Sequence, residues 1–338
     1  MDQPAMPTAL QLPTRRVLIV VAMLILYVVW GSTYLGIRIA IETIPPFAMA
    51  SIRFFIAGSV LFAVTLLRER RSFVPPSRRE WRDTFIVAGF LLGGGMGMVA
   101  WGEQTVPSGI AALIIALMPL WVAVIGRVFL GEHLPRAAVI GILVGLVGVA
   151  ILVVPAGVGA NRFDPAGVAA LMLSPILWAT GSLFAAHRAQ LPRRPLLATG
   201  MQMVAGGIIL GGMAVATGEP ARFDVPAISA ESLAALAYLT VIGSLVAFTA
   251  YGWLLRVAPL PLIATYAYVN PIVAVILGAL IVSEEVTPRT GVAGAVIVFA
   301  VALIITARSR MSAPRRRDIP DPSAPTPATE PVGAVARG

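Results

Sequence analysis

Side chains able to do covalent chemistry are almost missing from this chain. It has no cysteine, all 25 basic residues are arginine, and its two histidines are His133 and His187. Thiol catalysis, thiolate metal sites, Schiff-base chemistry and the lysine of a phosphate-binding loop are thereby excluded. Neither histidine has convergent acids, so no catalytic residue, metal or cofactor is implied. What remains suits binding without bond-making. Trp30, Trp101 and Trp178 offer flat apolar faces. Ser32, Thr33 and Tyr266 offer hydroxyls, and Asn270 an amide that both donates and accepts. Tyr266 and Asn270 are four apart and share a helix face. Arg53 and Glu103 are the charges set inside or beside apolar stretches.

These residues recur in register. Trp101, Pro107, Pro119 and Glu132 are spaced by 6, 12 and 13 residues, and Trp253, Pro259, Pro271 and Glu284 repeat those spacings 152 residues on. Trp30 aligns with Trp178 at an offset of 148, and Arg53-Phe54 with Gln202-Met203 at 149. A duplicated hydrophobic chain is the mark of a transporter, which needs two related gates around one site.

The elements that must carry these residues are membrane helices. The chain is 58% hydrophobic and 12% charged, with a mean hydropathy of +0.89. A water-soluble domain would carry about twice that charge. Ten stretches near the ~20 apolar residues that a bilayer requires lie at 17–37, 46–67, 83–103, 107–129, 136–155, 165–186, 196–217, 232–254, 260–282 and 288–307. The expected organisation is a tail over 1–16, one five-helix unit over 17–156, a second over 165–307, and a disordered Pro- and Arg-rich tail over 308–338. Gly141, Gly145 and Gly148 are spaced to let helix backbones approach. The Gly93–Gly97 run lies inside a span with no lysine after it, so it packs or bends a helix and cradles no phosphate.

Arginine placement orients the chain. With the N-terminus inside, 20 arginines fall at cytoplasmic ends and only Arg38, Arg162, Arg222 and Arg289 outside. Both termini are then cytoplasmic. Five spans per copy is odd, so the second copy enters the membrane upside down. The +9 net charge follows this topology, and nucleic acid is not an expected partner. Pro119 and Pro271 fall ~17 Å deep in helices four and nine. Each removes a backbone donor, freeing the carbonyls of Ile115 and Ala267. That is tolerated against protein or a water-filled cavity, so each proline is either a cavity-lining helix break or a packing kink. The tryptophans at matching depths are either gates at two mouths, Trp30 with Trp101 and Trp178 with Trp253, or interfacial belt residues. Arg53 either meets an anionic group or snorkels to the headgroups.

In the order and duplication of Trp30-Gly31-Ser32-Thr33, Arg53-Phe54, the stretch Glu103 to Glu132 and its partner Pro259 to Glu284, the chain resembles the drug/metabolite transporter superfamily. It is similar to ten-helix members with two EamA-type domains, over residues 17–307. The resemblance implies an all-α integral membrane fold of two inverted five-helix repeats. It also implies a mid-membrane cavity between helices one, three, four, six, eight and nine. The function it implies is export of a small, amino-acid-like metabolite or a drug across the cell inner membrane by alternating access. A flippase for a lipid-linked substrate is the alternative reading, and a membrane enzyme a remoter one. Unlike the small four-helix multidrug members, this chain has no acidic residue at mid-membrane. Glu103 near the outer mouth is the one plausible coupling carboxylate, with facilitator or exchanger also open. The implied partners are a small-molecule substrate and the lipid bilayer, with a homodimer left open.

Overall fold

The computed structural model describes residues 12–70, 73–154 and 163–312. Among the described residues, nine helices are long and apolar enough to cross a membrane: α1 (Arg15–Ala40), α2 (Pro46–Arg68), α3 (Arg78–Gly102), α4 (Ser108–Leu130), α5 (Arg136–Val153), α6 (Pro165–His187), α7 (Pro195–Ala216), α8 (Ala230–Leu254) and α10 (Pro288–Ser309). The shorter α9 (Tyr266–Ile281) follows one helical turn, Leu260–Ile263. Helical backbone begins at Leu12 and continues to Ser312, beyond the expected 17 and 307. Arginine stems at both ends allow this, because they reach the headgroups while their backbone stays helical. What is left of the two expected tails lies outside the described residues.

All-helical architecture follows from the solvent. Every backbone N–H and C=O in hydrocarbon needs a partner within its own segment. The apolar surface points outward as well as inward. Phe129, Ile140, Leu143, Leu280 and Phe299 are all exposed, an arrangement that suits lipid and would be an aggregation hazard in water.

The helices pack in repeat-related pairs. Helix α2 lies along α7 and α5 along α10, so each contacts its own counterpart; α1 rests on α8 and α9 as α6 rests on α3 and α4. The α5–α10 seam is built as the glycine spacing indicates: a Cβ at Gly141 or Gly148 would lie 2.7 Å from Ile304 or Ile297. One core cluster draws Ile37, Leu117, Leu171, Leu239 and Ile297 from both units, so neither unit buries its core alone.

Several helices depart from α geometry near mid-membrane. π-Helical turns occupy Leu26–Trp30, Gly89–Met96 and Leu239–Val246, the last two at matching places in the repeats. The Gly93–Gly97 run belongs to this widened stretch of α3. Such turns release carbonyls and cluster at functional sites. Helix α4 is broken at Ala116–Leu117, with Pro119 in the first turn of its second half, where its missing N–H costs nothing. Pro271 behaves otherwise: it sits within continuous α9, and the break before that helix comes at Ala264–Thr265. The two prolines share a register position but not a break.

Both α4 and the α9 helix end alike. Gly131 and Ser283, offset by 152, adopt left-handed backbone with φ of 68° and 55°. The next residue, Glu132 or Glu284, returns its N–H to the carbonyl of Gly126 or Gly278, which closes the helix end and turns a glutamate back toward the bundle.

Candidate functional site

A cavity of about 490 Å³ lies among α1–α4 and α6–α9, with α5 and α10 contributing no lining. Two helices beyond the expected set, α2 and α7, add Arg53 and Gln202. Both members of several repeat-related pairs line it: Trp30 and Trp178, Arg53 and Gln202, Pro119 and Pro271, Met118 and Asn270.

One wall is aromatic. The Trp30 ring centre lies 5.4 Å from that of Phe248, 5.2 Å from Tyr251 and 5.0 Å from Tyr266, within the spacing at which aromatic edges and faces attract. Helix α1 presents Trp30 there because its π-helical turn ends on that residue. The turn meets α9 at the Asn270 amide, assigned the orientation that satisfies its hydrogen bonding, in which Nδ2 donates to the carbonyls of Tyr27 (3.3 Å) and Tyr266 (3.2 Å). The Tyr27 hydroxyl adds a 2.5 Å hydrogen bond with Thr265 Oγ1. Asn270 is thus both cavity wall and tie.

The expected site residues divide. Trp30, Thr33, Trp178, Tyr266, Asn270, Arg53, Pro119 and Pro271 line the cavity. Ser32 does not: its hydroxyl bonds the Val29 carbonyl and the Tyr238 hydroxyl. Trp101 packs against the Phe47–Phe54 cluster, and Trp253 against Leu26 and Leu254. Trp30 and Trp101 therefore do not share a mouth. Phe248, Tyr251, Thr199, Gln202 and Arg256 are lining residues with no motif of their own; only Gln202 carried a signal, as the repeat partner of Arg53. The others sit on helices too uniformly apolar for periodicity to show an inward face. Among the described residues no three His, Asp or Glu side chains converge to hold a metal.

The two ends of the bundle differ. The lining reaches Ser182, Pro195 and the exposed Arg256 at the arginine-rich end. At the arginine-poor end Glu103, Val106, Ser108, Glu219 and Ser232 are all at most 1% exposed. There Glu219 accepts from the backbone N–H of Phe47 (3.2 Å) and Ala48 (2.8 Å), and Glu284 from Ser108 (2.7 Å) and Gly109 (3.0 Å). Each carboxylate sits on the positive end of a helix dipole and fills orphan donors. Their register partners at the other end, Glu69 and Glu132, pair instead with Arg194 and Arg308.

A model of the EamA-like transporter family matches residues 17–154 and again 165–306. The chain belongs to the EamA-like transporter family. Its two matched stretches are the two five-helix units, and the cavity lies between them. The inner membrane transporter YedA of Escherichia coli (strain K12) is 37% identical over 284 residues, which span 84% of this chain and 89% of YedA. A transporter of Archaeoglobus fulgidus is 24% identical over 82% of this chain and 95% of its own length. One crystal structure superposes with a TM-score of 0.59 at 20% identity, covering 89% of this chain and 99% of that one, which supports the fold.

One carboxyl of this EamA-like chain stands apart. Glu103, just past the end of α3, is fully buried, and both its carboxylate oxygens lack a hydrogen-bond partner. Burial pushes its carboxyl well above the usual carboxylate range; Glu284 adds repulsion and Arg38 opposes it. The buried Tyr34 hydroxyl also lies in its field. A folded-state pKa above the unfolded value of about 4.3 means that stability is full below that value and is lost as pH rises toward the folded pKa. The melting temperature of the purified protein should therefore fall as pH rises above the unfolded value of about 4.3, and less steeply in Glu103→Gln. Parallel slopes in the two proteins would show that Glu103 ionises without penalty.

Proposed function

We propose that this chain is a secondary transporter of the cell inner membrane that exports a small metabolite or drug by alternating access. The observation that carries the reading is the cavity itself. It is walled by register-related residues of two units, shut at the arginine-poor end by carboxylates on helix N-termini, and lined down to the arginine-rich end. With arginine-rich ends cytoplasmic, this is the inward-facing state. The name of YedA supports both the membrane and the activity. An upside-down second unit supplies the exchange: whatever closes one mouth has a counterpart at the other.

The absence of cysteine makes the test direct. Single cysteines are placed at Val106, in the closed end, and at Ser182, in the open lining. Both are probed with a membrane-impermeant maleimide in vesicles of each orientation. Ser182→Cys should label readily from the cytoplasmic side and Val106→Cys slowly from the periplasmic side. Trp178→Ala should change the two rates in opposite directions, because a ring removed from one closed state shifts the population between states. Rates that rise together would indicate loosening and count against alternating access.

A further inference from the structure

The charges that line the cavity are of one sign. Among the described residues its lining holds Arg53 and Arg256 and no aspartate or glutamate. Arg53 is the telling member. It is 2% exposed, and the ion pairs among the described residues are Arg82–Asp83, Arg194–Glu69 and Arg308–Glu132, none of which includes it. Buried guanidinium groups ordinarily have an acid, since an unpaired charge away from water is costly. Arg53 is nevertheless held in place: Nε donates to Ser244 Oγ at 2.9 Å, and the guanidinium lies 4.7 Å from the Phe54 ring centre. Gly243 makes room for it, as a Cβ there would lie 3.3 Å from Arg53 Nη2 and 3.2 Å from Thr33 Cγ2. One of the five guanidinium N–H groups is thus spent on Ser244, and the planar fork that suits a carboxylate is left.

The aromatic wall is close by. Thr33, which lies beside the same Gly243 as Arg53, donates its Oγ1 hydrogen to the Trp30 carbonyl, so this α1 turn also carries the Trp30 ring and its three aromatic neighbours. A cavity of about 490 Å³ falls in the range that encloses a drug-sized ligand. The geometry points to an amphipathic organic anion as the cargo, its carboxylate on Arg53 and its flat apolar body against Trp30, Phe248, Tyr251 and Tyr266. Arg256 at the open end draws such an anion in. A cation finds no counter-charge among the described lining residues and meets Arg53 instead.

This inference rests on the cavity being the transport site. The test uses the full chain in phosphatidylcholine nanodiscs, titrated calorimetrically with 3-phenylpropionate, 3-phenylpropylamine and propionate. Phenylpropionate should bind at least about tenfold more tightly than either of the others, the amine carrying the opposite charge and propionate lacking the ring. Arg53→Gln should cost phenylpropionate about tenfold or more, and Arg53→Lys should recover part of it. The wild-type ranking decides even if Arg53→Gln fails to fold. Equal or tighter binding of the amine, or no binding of any of the three, overturns the proposal. Propionate matching phenylpropionate removes the aromatic half and overturns it likewise. Repeating the titration with phosphatidylglycerol in the discs separates free from lipid-borne anions. Unchanged affinity supports a free solute, whereas competition would assign the site to an anionic lipid and overturn that form of the proposal. A chain whose two mouths label in opposition yet shows no carboxylate preference loses this inference and keeps its transport reading.

Discussion

Glu284→Ala should open the arginine-poor mouth, and Glu132→Ala should leave it closed. Glu284 fastens the end of α9 to the start of α4 through two backbone N–H groups at 2.7 and 3.0 Å, and its carboxylate is packed onto Gly278, where a Cβ would meet Oε2 at 2.5 Å. Hydrogen bonds to a charged group contribute ~1.5–3 kcal/mol each. Losing one shifts the balance between closed and open mouths by about tenfold or more. The register partner cannot form the same clasp. Ser108 and Gly109 correspond to Leu260 and Pro261, and proline has no N–H. Glu132 instead pairs with Arg308 at 2.7 Å, a partly exposed contact that contributes little. Val106→Cys labelling from the periplasmic side should therefore rise at least about tenfold in Glu284→Ala and stay near its starting rate in Glu132→Ala. Similar rates in both would mean that the mouth is shut by packing alone. The asymmetry also explains why the closed end in this structure is the arginine-poor one.

The second large effect lies where α2 crosses α7, at glycines outside the cavity lining. A Cβ on Gly58 would stand 2.5 Å from the Val204 backbone nitrogen and 2.8 Å from the Gly200 carbonyl; one on Gly207 would stand 2.7 Å from the Phe55 nitrogen. These neighbours are backbone, which cannot swing aside as a side chain can. Gly58→Val or Gly207→Val must push the two helices apart, opening a seam that carries Arg53 on one side and Gln202 on the other. Overpacking costs ~1–3 kcal/mol where side chains can adjust, and more here. Both variants should be lost from the monodisperse peak in detergent or melt far below the parent. Gly212→Val, on the same helix with open space around it, should behave as the parent does. A Gly207→Val protein as stable as Gly212→Val would show that the crossing is looser than drawn.

Much of this architecture was legible in the sequence because helix formation in lipid is local. A stretch of ~20 apolar residues must satisfy its own backbone, so span positions follow from hydropathy with no knowledge of neighbours. The duplicated spacings from Trp101 to Glu132 and from Trp253 to Glu284 likewise marked residues that the fold places in related positions. Pro119 announced a real break in α4. The same logic misplaced the break before α9, because a proline states where a donor is missing and not where the chain will relieve it. The π-helical turns left no mark in the sequence, since one extra residue in a turn changes register without changing composition.

Tertiary structure alone decided which side of each helix faces the cavity. Helices apolar on every side carry no periodic signal of an inward face, so Trp30 and Trp101 looked alike until packing put one in the cavity wall and the other in a core cluster. It also decided the partners of the charges. Residue type and spacing showed that Arg53, Glu103, Glu132 and Glu284 lay within apolar stretches or at their ends. Whether each meets an arginine, a helix end or nothing depends on the rotation and tilt of helices far apart in the chain. Those are fixed by close backbone contacts such as Gly58 on Val204, which bring residues some 150 positions apart together and which no local stretch can encode.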